Sequence, residues 1–384
     1  MADPGPLTGV RVVELAGIGP APFCVMQLAD MGASVVRVDR TGPPNPDYTA
    51  NPVIDRGRRS VAVDLKDQRG VAVVLDLVRH SDVLVEGFRP GVCERLGLGP
   101  DPCLDANPAL VYGRLSGWGQ DGPWAGVAGH DINYIGLTGA LWSVGRAGER
   151  PVPPLNLVGD FGGGAASLAF GVVCALLESR ASGRGQVVDA NVLDATATLM
   201  GMTHGLRAAG RWGDERGSNL LDSGCPYYDV YTCADGRWVA VGTIEHRFFQ
   251  ALLDGLEVGP DDALRGAHRD RDLWPSLRET LTRIFATRSR AGWVEVFRDV
   301  DACVTPVLNV DEAVSHEQAA AREAYVPLEA GRGVQPSVSP RFSRSRTPLP
   351  GPPPRPGEHG GQVLAELGYA REQIAALRAA GVVG

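Results

Sequence analysis

Short apolar runs alternate with stretches of helical spacing from the start of the chain, and this alternation restricts the fold more than any other feature. Residues 10–15 read as a strand, 17–22 as a glycine–proline turn, 23–31 as a helix and 34–38 as a second strand. That is a βαβ unit. It continues through strand 60–65, helix 70–79, strand 82–85 and a strand near 110–114. Parallel strands joined by helices are covered on both faces, so the expected fold class is α/β, built on a large Rossmann-like domain with a parallel sheet.

Helical segments at 131–142 and 162–177 and a strand at 186–189 complete the expected large domain, residues 1–207. Residues 208–226 lose apolar periodicity and read as a linker. Beyond it, 227–241 alternate like a hairpin around Ala234-Asp235-Gly236, and helical patterns follow at 248–256 and 273–285. A smaller α/β domain is expected over 227–326. From 327 the chain becomes rich in Pro, Ser and Arg, which predicts an extended return crossing. Apolar spacing at 362–380 predicts terminal helices, so 327–384 are assigned to a return onto the large domain.

A formal net charge of −8 argues against nucleic acid as a partner, because phosphate binding relies on a cationic surface. The seven cysteines are odd in number and form no CxxC pair, which predicts reduced thiols, no zinc site and a cytoplasmic protein. No secretory signal is visible at the N-terminus. The longest apolar stretch, 165–177, is too short for a bilayer, so no membrane span is expected.

The turn Gly17-Ile18-Gly19 invites a dinucleotide-binding reading, but Pro22 and Phe23 stand where its third glycine belongs. A tight strand-to-helix turn explains the spacing as well. Cationic and apolar residues recur at predicted strand ends: Arg40, then Leu65-Lys66, then Gly87-Phe88-Arg89, with Arg95 beyond. Ligands of parallel sheets lie past the carboxyl ends of strands, so this recurrence suits a phosphorylated ligand. Taken singly, each is more commonly a solvated loop charge.

His130 opens a predicted helix in Gly129-His130-Asp131-Ile132-Asn133-Tyr134, where free amides stabilise an anion. A histidine there more often serves the fold. Asp160 lies among glycines in Asn156-Leu157-Val158-Gly159-Asp160-Phe161, and an ordinary N-cap is its plain reading. Glu245 follows a predicted strand, with His246 as its rival. HExxH, G-x-S-x-G and Walker A motifs are absent, which disfavours zinc hydrolysis, serine esterase chemistry and phosphoryl transfer.

These motifs resemble the family III CoA-transferase superfamily, most closely its α-methylacyl-CoA racemase branch. The superfamily features are Leu7-Thr8-Gly9-Val10-Arg11-Val12-Val13-Glu14-Leu15, Arg58-Arg59-Ser60, Asp64-Leu65-Lys66, Glu86-Gly87-Phe88-Arg89-Pro90-Gly91 and Gly185-Gln186-Val187-Val188-Asp189. The branch is marked by the segments around His130 and Asp160 and by Glu245 after Val239-Ala240-Val241-Gly242.

The resemblance implies an interlocked homodimer whose active site lies between one subunit's large domain and the other's small domain. It implies that His130 and Asp160 are the acid/base pair, with Glu245 orienting His130. It further implies that CoA, part of the substrate, is held by Arg40, Leu65, Lys66, Phe88, Arg89 and Arg95, with Gly87, Gly129, Asp131 and Tyr134 counted in the binding set. Neither metal nor separate cofactor is implied. Epimerisation of a 2-methylacyl-CoA through an enolate is the expected reaction. In transferase relatives the residue at the Asp160 position is a nucleophile that exchanges CoA between acids, the competing expectation. A non-catalytic acyl-CoA-binding protein is a third.

Overall fold

The computed structural model describes residues 5–42, 51–268, 270–328 and 333–384. Residues 1–4 and 43–50 of the expected large domain, 269 of the small domain and 329–332 of the return crossing lie outside the described residues. Contacts divide the chain into two units. Met1–Ala140, Pro154–Met200 and Glu323–Gly384 make the first, and Leu141–Pro153 with Gly201–Arg322 make the second.

The first unit opens with β1 (Arg11–Leu15), α1 (Pro20–Asp30), β2 (Ser34–Arg40), β3 (Arg58–Val63), α2 (Gln68–Arg79) and β4 (Val83–Glu86). Then come α3 (Val92–Leu96), α4 (Pro100–Ala106), β5 (Val111–Ser116), α5 (Asp131–Leu137) and the short α6 (Ala140–Ser143). A π-helical stretch, Leu157–Ala165, runs directly into α7 (Ala166–Ser182), followed by β6 (Gln186–Asn191) and α8 (Val192–Leu199). The strands form one parallel sheet in the order β3-β2-β1-β4-β5-β6. The order reverses between β1 and β4, as in a doubly wound fold.

Side chains of a strand alternate faces, and here both faces are apolar. Val13, Val36, Leu84 and Tyr112 enter the layer under α2, while Val12, Val35, Val83 and Val111 enter the layer under α1 and α7. Each such residue contributes roughly 1.5–3 kcal/mol by leaving water. α2 begins where Asp67 caps the Arg69 amide at 2.8 Å and buries Val71, Val74, Leu77 and Val78 on one side.

Two helical expectations are corrected. The helix expected over 131–142 is broken after Leu137, because Gly139 adopts φ +80° and the Thr138 hydroxyl bonds the Ile135 carbonyl instead. The helix expected to be too short for a bilayer is longer, since the π-helical turn extends it to Leu157–Ser182, 26 residues and apolar enough by composition to cross one. Its Leu168, Val172, Ala175 and Leu176 are buried against the sheet, as in the core helix of a globular domain.

The second unit contains α9 (Gly201–Ala208), β7 (Tyr228–Thr232), β8 (Trp238–Gly242), α10 (His246–Gly255), α11 (Trp274–Phe285), α12 (Arg290–Phe297), β9 (Val304–Pro306), α13 (Val310–Ser315) and α14 (Glu317–Ala321). Its antiparallel sheet β7-β8-β9 packs with Phe249, Leu277, Phe285 and Trp293. Segment 141–153, expected in the large domain, belongs here. Arg216 donates to the carbonyls of Trp142, Arg146 and Glu149, and Arg146 pairs with Asp229 at 2.5 Å. Residues expected to be a plain linker are themselves knotted by hydrogen bonds: Asn219 bonds Gly213, Glu215 and Asp222.

The chain then returns to the first unit through the antiparallel pair β10 (Tyr325–Pro327) and β11 (Val334–Pro336), and ends in α15 (Gly360–Glu366) and α16 (Arg371–Ala379). Val363, Leu364 and Ile374 join the layer under α2. Val383 pairs with Val63, and the Gly384 amide reaches the Ala62 carbonyl at 3.0 Å, so the tail covers the otherwise open edge of β3.

Candidate active site

Because the strands are parallel, their carboxyl ends share one rim of the sheet. Arg40 ends β2 and is exposed. Past β3, Asp64 accepts the Lys66 amide at 3.0 Å, leaving Lys66 exposed and Leu65 packed on the layer under α2. Past β4, Glu86 turns back to accept the Phe88 amide at 2.7 Å, which seats Phe88 on the same layer and leaves Arg89 in solvent. Gly87 is needed there, since a Cβ would stand 2.9 Å from Ala21. Arg95 is exposed on α3.

Sequence reasoning gave Glu86 no separate role. Burial pushes its carboxyl up, opposed by the Phe88 amide and by Arg114. Arg114 donates to Glu86 at 3.2 Å and to Glu94 at 2.9 Å, so one arginine ties β4, β5 and α3 beneath the cationic rim. The motif contained Glu86, but its partners lie on other elements and no spacing joins them.

His130 caps α5 with an extended backbone, its amide donating to the Asn133 side chain at 3.1 Å and its side chain exposed. Tyr134, one turn on, donates its hydroxyl to the Gly129 carbonyl and stands edge-on to Trp118, with centroids 4.6 Å apart. Cβ atoms at Gly117 and Gly129 would lie 2.1 Å and 2.7 Å from the Tyr134 ring, so both glycines make room for it.

Asp160 is not the helix N-cap that its sequence neighbourhood suggested. It sits inside the π-helical stretch, whose wider turn brings the Phe161 amide to the Asn156 carbonyl at 3.2 Å. The Asp160 amide donates to the Asp131 carboxylate at 2.7 Å, and the Phe161 ring stacks on Phe23 of α1 at 4.3 Å. Burial first, and then the charge of Asp131, raise the Asp160 carboxyl to about 6, against a bond from Asn156 and the charge of His130.

The first unit thus gathers His130, Asp131, Tyr134, Gly129 and Asp160 into one cluster. It is joined electrostatically to the rim. The Tyr134 phenol is pushed up by burial and by Asp160, and Arg89 opposes that shift. Glu245 belongs to the second unit, where it is the exposed N-cap residue of α10 and its charge acts on the Cys303 thiol. The rival His246 begins α10, its ring 5.4 Å from that of His268. Among the described residues, no three His, Cys, Asp or Glu side chains are grouped to hold a metal.

Residues 7–360 match the family model described as CoA-transferase family III. An α-methylacyl-CoA racemase of Mus musculus is 44% identical over 378 residues, covering 98% of this chain and 97% of that protein. One of Homo sapiens is 43% identical over 373 residues, covering 96% and 95%. A crystal structure of a CaiB/BaiF family protein from Brucella suis superimposes with a TM-score of 0.78, covering 95% of this chain and 100% of the other, at 24% identity.

Proposed function

The chain belongs to CoA-transferase family III, and from that membership we propose that it is an enzyme that epimerises 2-methylacyl-CoA thioesters. The observation that carries this reading is the placement of His130 within electrostatic reach of Asp160, whose carboxyl is raised to about 6. Inversion at a thioester α-carbon needs two groups in opposite protonation states, one removing a proton and the other returning it to the far face. Neutral His130 with protonated Asp160 serves one direction. Imidazolium with carboxylate serves the other.

The α-proton of a thioester is weakly acidic, so the developing enolate oxygen must be stabilised, here by the backbone N–H at Asp131. Arg40, Lys66, Arg89 and Arg95 hold the phosphates of CoA, with Leu65, Gly87 and Phe88 against its less polar parts and Gly129 and Tyr134 shaping the reacting end. CoA enters as part of the substrate. Proton transfer of this kind requires neither metal nor redox cofactor.

The enzyme works as a homodimer in which Glu245 of one copy orients His130 of the other. Support comes from apolar side chains that the single chain leaves in solvent: Phe170 and Leu177 on α7 are 72% and 65% exposed. Large exposed apolar residues in one region mark an association surface. The cytoplasm is the proposed location, in keeping with seven free cysteines.

The test is incubation of one pure 2-methylacyl-CoA epimer in deuterated water without any acceptor acid. Deuterium uptake at C2 with drift toward mixed epimers is expected, and its loss in His130→Ala would assign the histidine. No uptake, followed by CoA exchange once a free acid is supplied, would overturn the reading and make Asp160 a nucleophile.

A further inference from the structure

Asp131 is nearly buried, at 7% exposure. One carboxylate oxygen accepts the Asp160 amide at 2.7 Å, and the other, buried, has no hydrogen-bond partner among the described residues. An unfilled buried acceptor costs stability, and a neutral asparagine could accept the same N–H without a charge. The contact also dictates its neighbour. A Cβ on residue 159 would lie 2.4 Å from the Asp131 oxygen and 2.7 Å from Ile135, so Gly159 is required by space and not by its backbone angles.

The surroundings of Asp160 leave Asp131 as the charge that matters beside His130. From the preceding turn Asn156 donates to the Asp160 carboxyl, and α5 adds the Tyr134 phenol, on which Arg89 also acts. α1 offers Phe23, the buried Cys24 thiol and Asp30, which is paired with Arg56 at 2.6 Å. α8 offers Thr196 and Asp194, the latter bonded to Asn191 at 2.7 Å. The Glu178 and Arg180 side chains of α7 stand near its far end. Two carboxyl groups in one enclosed place do not both ionise cheaply.

We infer that Asp131 is a positioning residue for the proton transfer: its carboxylate, reaching the Asp160 amide through the opening at Gly159, fixes where Asp160 presents its carboxyl. Its negative charge also disfavours ionisation of that carboxyl. This rests on the acid/base reading of Asp160. When His130 takes the substrate proton, the O–H bond of Asp160 breaks as a new C–H bond forms on the opposite face, leaving a carboxylate beside that of Asp131. The repulsion makes this carboxylate a better base for the return direction.

Asp131→Asn keeps an acceptor for the Asp160 amide and removes the charge. Two readouts apply: the pH dependence of kcat/KM for C2 proton exchange, and the titration of the Asp160 carboxyl by carbon NMR, assigned with Asp160→Asn. The titration should move to lower pH by about one unit, and with it the acid limb for the epimer whose proton Asp160 removes and the basic limb for the epimer whose proton His130 removes. Reduced activity with both unmoved would make Asp131 merely structural and overturn the inference. Gly159→Ala retains the charge but blocks its approach; kcat should fall about tenfold or more with KM little changed, and a parental kcat would refute the positioning role. Even without a folded variant, an Asp160 carboxyl of the unaltered protein titrating like an ordinary aspartate would overturn the proposal. A raised titration that drops in Asp131→Asn, in a protein that exchanges no C2 proton, would refute the epimerase reading and leave the coupling of the two carboxyls standing.

Discussion

Glu14 of β1 and Arg58 of β3 reach across the intervening β2 to close a two-point ion pair, Nε 2.5 Å from one carboxylate oxygen and Nη2 3.1 Å from the other. Both side chains are almost wholly buried. Arg58 also donates to the carbonyls of Pro22, Ile54 and Arg56, so one guanidinium fastens the first turn of α1 and the approach to β3 onto the sheet.

Removing one partner of such a pair strands a charge in the core. Arg58→Ala should therefore destabilise the protein by about 3–5 kcal/mol, seen as an earlier midpoint in urea. Glu14→Leu combined with Arg58→Met should lose less than Arg58→Ala alone. A double variant as unstable as the sum of its singles would contradict the pairing.

The Asp160 carboxyl, raised to about 6 mainly by burial, binds its proton more tightly in the folded protein than in the unfolded chain, where aspartate titrates near 4. The stability this lends is complete below about pH 4 and is lost as pH rises through about 6. Asp160→Asn stays neutral throughout. After discounting for solvent at this half-buried group, it should be more stable than the parent by about 1 kcal/mol near pH 8 and no more stable near pH 4, while turnover disappears. Thermal melts at the two pH values, showing an equal gain at both, would refute the raised carboxyl.

Arg89 and Lys66 stand exposed past the carboxyl ends of β4 and β3, and under the proposed function they would meet the phosphates of CoA and not the reacting carbon. Arg89→Ala should raise KM for an acyl-CoA about tenfold and leave kcat nearly unchanged, with the difference shrinking as salt is added. Steady-state kinetics at two ionic strengths check this; an unchanged KM would remove Arg89 from the CoA site.

Phe170 and Leu177 project from the outer side of α7. Either Phe170→Glu or Leu177→Arg should weaken self-association about tenfold or more, measured by sedimentation velocity over a dilution series. Unaltered association would remove this face of α7 from any association surface.

The parallel sheet was legible because its strands are valine-rich runs punctuated by turns, and the cationic rim because Arg40, Lys66 and Arg89 recur at successive strand ends. What escaped depends on partners distant in sequence. The glycines around Asp160 read as a helix start, while the π-helical turn is held by Asp131, Phe23 and α8. No apolar period records such a turn. Segment 141–153 joins the second unit through Arg216 and Asp229, which lie some seventy residues and more beyond it, and loop composition alone says nothing of that attachment. The carboxylate role of Asp131 was hidden because its position in the sequence points only to its amide.

The pairing of Val383 with Val63 ties the margin of the first sheet to a residue made long after it. Between them the ribosome must deliver both segments of the second unit, Leu141–Pro153 and Gly201–Arg322, and the return segment. During synthesis β3 therefore waits with an open margin, its backbone groups available to any strand that passes. That margin stays open to mispairing until residues 382–384 have been made, and truncation just short of Val382 should leave the edge of β3 uncovered.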